Sequence, residues 1–500
     1  MISSGSSDSR RPQAYEAPLE ADSAAAIPSK APTKLLFVTP EMGDYIKAGG
    51  LGEVSSALPR ALRASCDVRV LIPAYRQVRL RHQNIEVVRQ MPRTAALPPW
   101  SLGRFHTSDG LIIYAVLCDE LFDRLGSPYG EFSGRDFPDN DLRFARLSLA
   151  AAEICAGEAD PNWRPDVVHL NDWPSALTAG YLAWKNIRTP SLLTIHNLAY
   201  QGLFEPSRLQ DLAIPSYAFG INGAEFHGKL SFLKSGVFYA SHLTTVSETY
   251  SREITTPEHG CGLEGLLLTR MNEGRLTGIV NGIDESWTAP GEGEKDGARI
   301  FREWKKKNAR EVRLAYGLSA SSGPLFSIIS RLVHQKGIDL SIGSARTILE
   351  NDGQLVAIGR GEARLESALQ DLARQHKGRV AARIGFDDQE ARGLFAGSDF
   401  LLMPSRFEPC GLSQMYAQRF GALPIAYRTG GLVDTIEDGK SGFLFSQLSG
   451  DGLSGAVMRA MDAFKAKAPF RTMRRYAITR PFQWANSARR YASVYAAMAG

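Results

Sequence analysis

Residues 404–431 read PSRFEPCGLSQMYAQRFGALPIAYRTGG, and the rest of the chain is interpreted around this stretch. An apolar run at residues 400–403 precedes it and is typical of a buried strand. A short loop with Glu408 follows, then a helical segment and a second apolar run at residues 423–427, which leads into a Thr-Gly-Gly turn at 429–431. Because ligands bind at the carboxyl ends of strands in an open parallel sheet, we expect Glu408 and this turn to face one crevice.

The same segment, extended to residues 405–435, resembles the signature of bacterial glycogen synthases and plant starch synthases. Further matching motifs extend the resemblance from Lys34 to the C terminus. Enzymes of this family are retaining glycosyltransferases that extend an α-1,4-glucan from a nucleotide-glucose donor. The resemblance therefore implies the GT-B fold, in which two Rossmann-like, doubly wound α/β domains face each other across a deep interdomain cleft.

The composition is that of a soluble globular protein of more than one domain, with 500 residues, 44% hydrophobic and 22% charged. A net charge of +5 permits an anionic substrate and does not require nucleic acid. No apolar run approaches the length of a membrane helix. The five cysteines are scattered without a CxxC pair, which favours a reducing compartment. We therefore expect a cytoplasmic protein with neither nucleic acid nor membrane as a partner.

The chain is predicted to consist of a tail, two domains and a returning helix. Residues 1–33 are rich in Ser, Ala and Pro, which predicts disorder, and their acidic side chains argue against a transit peptide. Strand-like and helix-like segments then alternate, as in doubly wound parallel sheets. We assign residues 34–276 to an acceptor-side domain, 277–478 to a donor-side domain and 479–500 to a helix crossing back to the first domain. The domains should close about a glycine hinge at residues 281–282.

A candidate anion site follows the first predicted strand. Gly49 and Gly50 stand immediately before a helical pattern, where free N–H groups and the helix dipole favour an anion, and Lys47 adds a positive charge. A solvated lysine before an ordinary helix start would give the same pattern. The family has a K-x-G-G-L motif here, so the resemblance implies that Lys47 contacts the donor. Glu53 stands where the family usually has Asp.

Two further candidates lie in the first domain. Asp139 precedes a helix and suits an N-terminal cap, and the resemblance implies that it faces the sugar. His196 ends a predicted strand in the motif TIHNLAYQG, and the resemblance implies that it lies beside the transferred glucose. His169 is interpreted as a buried core histidine. The NDWP run at residues 171–174 departs from the family's His-Asp-Trp-His, which puts fine details of the pocket in question.

Two cations follow the first predicted strand of the second domain. Arg331 offers a planar fork of donors and Lys336 a compact charge, and both precede a helix, an arrangement that suits a diphosphate. Two solvated surface cations would show the same spacing. The resemblance to the family's S-R-L-x-x-Q-K-G motif favours phosphate binding. Because these cations would stabilise the leaving phosphate, we expect neither a metal ion nor a cofactor.

The expected chemistry is glucosyl transfer with retention of configuration. Glu408 should hydrogen-bond the sugar hydroxyls, and no obvious second carboxylate forms the pair that glycoside hydrolases use. The resemblance instead implies front-face attack by the acceptor 4-hydroxyl. The expected catalytic residues are Glu408, Arg331, Lys336, His196 and Asp139. The expected donor-binding residues are Lys47, Gly49, Gly50, Asn281, Arg331, Lys336, Thr429, Gly430 and Gly431.

The leading interpretation is an ADP-glucose-dependent enzyme acting on glycogen or a malto-oligosaccharide, with ADP taken from the resemblance. A glucosyltransferase of the same fold that uses UDP-glucose or a small acceptor is the nearest alternative. A glucan-binding relative without activity is a second alternative, kept open by the NDWP run and by a shortened loop after Trp287. Phosphorylase is disfavoured because no motif matches its pyridoxal lysine site. The sequence leaves the oligomeric state open.

Overall fold

The computed structural model describes residues 32–292, 294–385 and 387–499. Apart from Pro32 and Thr33, the tail predicted over residues 1–33 lies outside the described residues. Among the described residues, no helix combines the length and the apolar character needed to cross a membrane.

The first half of the chain folds around a mixed sheet with helices on its faces. Its strands are β1 (Thr33–Val38), β2 (Cys66–Pro73), β3 (Glu86–Met91), β4 (Trp100–His106), β5 (Ile112–Leu117), β6 (Val167–Asn171), β7 (Ser191–Ile195), β8 (Leu203–Phe204), β9 (Glu225–Phe226), β10 (Lys229–Ser231), β11 (His242–Thr245) and β12 (Leu276–Gly278). Its helices are α1 (Gly50–Leu62), α2 (Arg76–Arg81), α3 (Asp119–Phe122), α4 (Asn140–Ala156), α5 (Asp172–Trp184), α6 (Phe232–Tyr239), α7 (Glu248–Glu253) and α8 (Glu264–Asn272). Short 3₁₀ turns occupy Pro206–Arg208 and Ser216–Ala218.

The large sheet has the strand order β12-β11-β7-β6-β1-β2-β5-β4-β3. The strands from β12 to β5 are parallel, whereas β4 and β3 form an antiparallel edge. The central strands β6 and β7 are buried along their whole length, as expected for parallel strands covered on both faces. Strands β8, β10 and β9 form a small antiparallel sheet of their own.

The second half of the chain repeats the doubly wound plan with a wholly parallel sheet. Its strands are β13 (Leu325–Ile329), β14 (Gln354–Gly359), β15 (Val380–Ile384), β16 (Phe400–Met403), β17 (Leu423–Tyr427) and β18 (Phe443–Phe445), in the order β15-β14-β13-β16-β17-β18. Its helices are α9 (Gly297–Ala315), α10 (Ile338–Glu350), α11 (Ala363–Gln375), α12 (Asp388–Gly397), α13 (Ser413–Arg419), α14 (Gly430–Thr435), α15 (Gly450–Lys465), α16 (Lys467–Ile478) and α17 (Trp484–Ala499). A 3₁₀ turn occupies His334–Lys336.

The structure departs from the sequence-based expectations at the edges of the first domain. Strand β12 pairs with β11 in the first sheet, so the predicted boundary between residues 276 and 277 cuts through a strand of the first domain. The antiparallel strands β3 and β4 were not predicted. Strand β3 is mostly exposed and carries polar residues, as edge strands often do, so it lacks the apolar run by which buried strands are recognised.

The chain passes between the domains twice, and the two passages lie side by side. The Ile283 N–H donates to the Phe482 carbonyl at 2.8 Å. The Ser487 hydroxyl donates to the Val280 carbonyl at 2.7 Å, which fastens the start of α17 to the outgoing passage. Helix α17 then packs against α1 and β1 of the first domain. Gly282 lies directly against Trp484, where a Cβ atom would stand 2.6 Å from two backbone atoms.

We predict that Gly282→Ala destabilises the protein, because the added methyl group would overlap backbone atoms of the second passage. The expected loss is roughly 1–3 kcal/mol, typical of overpacking, and appears as a lower melting temperature in scanning calorimetry. Gly455→Ala on α15 is the matched control, since open space surrounds that position and alanine favours a helix by roughly 0.5–1 kcal/mol. A melting temperature of Gly282→Ala equal to or above that of the native protein would contradict the close packing of the passages.

Candidate functional site

Glu408 and Lys336 form a buried ion pair at the carboxyl edge of the second sheet. The Lys336 Nζ lies 2.5 Å from Oε2 of Glu408, and the Ser405 hydroxyl donates to the same oxygen at 2.9 Å. The side chains of Glu408 and Lys336 are 6% and 17% exposed. Because such a buried carboxylate needs a counter-charge, the two predicted residues depend on each other.

The loops that follow β13 and β16 are joined along their length. The Arg406 backbone N–H donates to the Gln335 carbonyl at 2.8 Å, and the Gln335 side chain donates to the Phe407 carbonyl at 3.2 Å. Gly337 has a φ of +65°, and a Cβ atom there would lie 2.1 Å from the Pro404 carbonyl oxygen. These contacts bring Lys336 and Glu408 together although they are 72 positions apart.

Arg331 lies in the same loop as Lys336 and is exposed. Within the part of the chain that the structure describes, its guanidinium has neither an ion pair nor a hydrogen bond. It therefore presents an uncommitted positive charge at the carboxyl end of β13, where a parallel sheet binds ligands. Arg406, by contrast, forms a two-pronged pair with Asp339, at 2.7 and 2.9 Å, and stiffens the loop.

The predicted Thr429-Gly430-Gly431 turn starts α14 and contacts a carboxylate of the first domain. Oε1 of Glu253 accepts hydrogen bonds from the Thr429 hydroxyl at 3.0 Å and from the Gly430 N–H at 2.9 Å. The Gly431 N–H donates to the Glu408 carbonyl at 3.0 Å. The N–H groups of Gly430 and Gly431, both predicted donor-binding residues, are therefore bonded to groups of this chain, and Gly431 supports the loop carrying Glu408.

The loop before α1 is also shaped by a carboxylate. Oε2 of the buried Glu41 accepts from the Ala48 N–H at 2.7 Å and from the Gly49 N–H at 3.2 Å, whereas Gly50 begins the helix. Lys47 Nζ lies 2.8 Å from Glu53 of its own domain. Glu53, the residue that departs from the family pattern, thus pairs with the predicted donor-binding lysine.

Lys47 also reaches across to the second domain, where Asp388 lies 3.3 Å from its Nζ. Partial burial by itself would lower the pKa of Lys47, but the hydrogen bonds and charges of Glu53 and Asp388 outweigh it and raise the pKa. Together with the contacts of Glu253, this pair shows that loops at the carboxyl ends of both sheets face each other.

His196 is held in one orientation by the NDWP run. Its backbone N–H donates to Oδ1 of Asp172 at 2.7 Å, and its ring Nε2 donates to Oδ1 of Asn171 at 3.0 Å. The amide of Asn171 is oriented because its Nδ2 donates to the Val38 carbonyl at 2.9 Å. Burial lowers the pKa of His196 to about 3, so its imidazole is neutral near pH 7. Asn171, which departs from the family pattern, therefore contacts a predicted site residue.

Asp172 is a further candidate residue beside His196 that was not predicted from the sequence. It has a φ of +54°, unusual for a residue other than glycine, and begins α5 directly after β6. Burial raises its pKa to about 7, against the opposing hydrogen bonds from the backbone of His196 and Asn197. The sequence did hold one signal for Asp172, which is its position directly after a buried strand. Carboxylates at the carboxyl ends of parallel strands lie where such sheets bind ligands.

Asp139 differs from one of its predicted environments, whereas Asn281 stays a predicted donor-binding residue. Asp139 precedes α4, but its side chain does not cap the helix; both carboxylate oxygens lie 2.6 Å from the Arg124 guanidinium. The capping interpretation is therefore wrong. Asn281 is buried beside the passage between the domains, and its Oδ1 has no hydrogen-bond partner among the described residues. His169 is a core residue, as predicted, bonded by Tyr495 and Thr194.

Two facing doubly wound domains with a cationic and carboxylate-bearing edge define the class: this chain is a GT-B glycosyltransferase. Its sequence matches the family described as starch synthase catalytic domain over residues 34–269 and the family described as glycosyl transferases group 1 over residues 317–472. The solved structure of starch synthase IV from Arabidopsis thaliana, bound to ADP and acarbose, superposes with a TM-score of 0.80 at 27% identity. The match covers 94% of this chain and all of that one.

The sequence comparisons then specify the family. A glycogen synthase of Pseudomonas putida is 53% identical over 92% of this chain and 89% of its own length. Glycogen synthase 1 of Bradyrhizobium diazoefficiens is also 53% identical, over 92% of this chain and 100% of its own. The chain belongs to the glycogen synthase family.

We predict that Asp172→Asn raises the melting temperature relative to the native protein, and that the difference grows between about pH 4.5 and pH 7. The unfolded chain releases this proton near pH 3.8 and the folded protein near 7, so the native state loses stability as the pH rises between these values. The loss is at most about 1.4 kcal/mol per pH unit, and asparagine abolishes it while keeping an oxygen to accept the two N–H groups.

The exposed carboxylate of Asp371 on α11 supplies the control, as Asp371→Asn removes one charge from the surface. Calorimetry across this pH range measures both variants against the native protein. A difference for Asp172→Asn that stays constant from pH 4.5 to pH 8 would contradict the burial of a titrating carboxyl group beside His196.

Proposed function

We propose that this protein transfers glucose from ADP-glucose to the non-reducing end of an α-1,4-glucan, with retention of configuration. The observation that carries the proposal is the Lys336–Glu408 pair, with the exposed Arg331 in the same loop as Lys336, at the carboxyl edge of the second sheet. The relatives named glycogen synthase and the ADP-bound starch synthase support the choice of donor and acceptor. The cysteines are free thiols, which suits the reducing cytoplasm that we propose as its location.

The cations of the second domain are proposed to bind the donor diphosphate. Breaking the bond at the anomeric carbon places negative charge on the departing phosphate, which cations already in position stabilise without reorganising. Arg331 is uncommitted and can meet the diphosphate directly. Lys336 would bridge the diphosphate and Glu408, because its ammonium group has three donors and only one is needed by the carboxylate. Lys47 would approach the donor from the first domain.

Glu408 is proposed to orient the glucose. Its carboxylate accepts from Ser405 and Lys336 through one oxygen, Oε2, which leaves Oε1 for the sugar hydroxyls. At neutral pH the uncharged His196 would contribute a hydrogen bond and not a proton, since its pKa is about 3. We place Asp172 beside it, and we retain Asp139 as a sugar-facing candidate whose charge is balanced by Arg124.

The proposed transfer needs no second carboxylate across the sugar. The 4-hydroxyl of the acceptor attacks the anomeric carbon from the side on which the diphosphate leaves. The bond from that carbon to the phosphate oxygen breaks, the new glycosidic bond forms, and the hydroxyl proton passes to the departing phosphate. ADP is released, and the configuration at the anomeric carbon is retained.

We predict that Glu408→Gln lowers kcat by about a hundredfold or more, because it removes a preorganised charge.

We also predict that Arg331→Ala lowers kcat/KM for ADP-glucose by about 10²–10³-fold, because it too removes a preorganised charge. The measurement is incorporation of labelled glucose into glycogen by purified variants. Arg346→Ala on α10 is the control for removing an arginine, since Arg346 is 85% exposed and paired only with Glu350 within the described residues. Its rate should equal that of the native protein.

Melting temperatures of these variants distinguish a loss of catalysis from a loss of folding. Glu408→Gln keeps the shape of the side chain, so we expect a folded protein that binds ADP-glucose. Native turnover in folded Glu408→Gln would remove Glu408 from the site. Equal losses in Arg331→Ala and Arg346→Ala would show that Arg331 has no specific role in binding the diphosphate.

A further inference from the structure

A helix of the first domain reaches the catalytic loop of the second domain. Residues 246–254, VSETYSREI, have no role in the transfer described above. They contain α7, which packs against α14 of the second domain. The end of α7 lies at the start of α14, and the start of α7 lies near the end of α14, so the two helices are antiparallel.

Each of the two helices contributes one carboxylate to this contact, and each carboxylate accepts hydrogen bonds from the opposite end of the other helix. Glu253, the last residue of α7, accepts from the Thr429 hydroxyl and the Gly430 N–H. In the opposite direction, Asp434 of α14 accepts from Thr249 at the start of α7, through the backbone N–H at 2.9 Å and the hydroxyl at 2.6 Å. We call these two reciprocal contacts the interdomain clasp.

The interdomain clasp is connected to the loop that carries Glu408. The Ser247 hydroxyl, immediately before α7, donates to the Pro409 carbonyl at 2.6 Å. The Gly431 N–H donates to the Glu408 carbonyl, and a Cβ atom on Gly430 would lie 2.0 Å from the same oxygen. The Pro409 carbonyl is therefore held by the residue that precedes α7, and the Glu408 carbonyl by the turn that Glu253 contacts.

The environment of Glu253 argues against a purely stabilising role. Its Oε2 is buried and has no hydrogen-bond partner within the described part of the chain. Leaving a buried carboxylate oxygen unpaired destabilises a fold. Local arrangements that oppose stability concentrate at functional sites.

We propose that Glu253 and Asp434 are positioning residues for Glu408, and that the interdomain clasp sets the catalytic loop of the second domain from the first. Glu408 is then correctly placed only while the two domains are docked at α7 and α14. This inference rests on the proposed function, because it assigns the placement of that function's central carboxylate.

Substitution of Glu253 by glutamine and by alanine distinguishes the effect of its hydrogen bonds from the effect of its charge. Glu253→Gln keeps an oxygen to accept from Thr429 and Gly430, whereas Glu253→Ala removes it. We expect Glu253→Ala to lower kcat roughly tenfold to a hundredfold, as a misplaced catalytic group does, without raising the KM for ADP-glucose. Glu253→Gln should retain most of the native kcat. Glu248→Ala is the control on the same helix, since Glu248 pairs with Arg490 away from the catalytic loop, and it should leave kcat unchanged.

Hydrogen–deuterium exchange supplies a readout that does not depend on turnover. Loss of the clasp should accelerate exchange in peptides spanning residues 404–415 and 427–435 in Glu253→Ala and in Thr249→Val. Glu248→Ala and Glu253→Gln should exchange like the native protein. Thr249→Val is nearly isosteric and removes only the hydroxyl donor to Asp434, so it guards against a variant that fails to fold.

The outcomes distinguish this inference from the proposed function. Native protein that transfers no glucose would refute the proposed function, while the exchange rates would still test the clasp. Native kcat in Glu253→Ala, or unchanged exchange at residues 404–415, would overturn the inference. A loss of kcat that is equal in the glutamine and alanine variants would also overturn it, because the effect would then follow the charge and not the hydrogen bonds.

Discussion

The buried ion pair between Lys336 and Glu408 is the interaction on which the site depends. A carboxylate that is 6% exposed would be expensive to hold without a counter-charge, and the lysine supplies it at 2.5 Å. The pair exists because the loops after β13 and β16 are joined by backbone bonds and by the close approach of Gly337 to Pro404. Parallel pairing of β13 with β16 brings these two loops to the same edge of the sheet.

Contacts between carboxylates and predicted ligand-binding groups recur in the rest of the cleft. Carboxylates of this chain already contact the groups that the sequence predicts to bind phosphate: Glu408 contacts Lys336, Asp388 contacts Lys47, Glu41 contacts the Gly49 N–H and Glu253 contacts the Gly430 N–H. Two of these contacts join the two domains. These groups are thus already bonded to carboxylates of the protein, whereas the Arg331 guanidinium has no such partner among the described residues.

The sequence allowed the fold to be predicted where burial leaves a strong pattern. The buried strand β16 and the largely buried β17 appear as apolar runs with the predicted bounds, whereas the exposed edge strand β3 has no such run. Lys336 and Glu408 could be proposed because each follows such a strand. The pairs of Asp139 with Arg124 and of Glu253 with Gly430 depend on tertiary packing, which leaves no periodic signal in the chain. Asp172 directly follows a buried strand, and this position was a usable signal, but its burial and its backbone conformation become visible only in three dimensions.

Activity of the native protein is the decisive test of the proposed transfer of glucose from ADP-glucose to a glucan. The measurement is the initial rate of labelled glucose incorporation into glycogen, with ADP-glucose and with UDP-glucose in parallel. We predict rapid incorporation from ADP-glucose, with release of ADP, and little from UDP-glucose. Incorporation from UDP-glucose alone would contradict the assigned donor, and absence of incorporation from either donor by a folded protein that binds glucan would contradict the assigned activity.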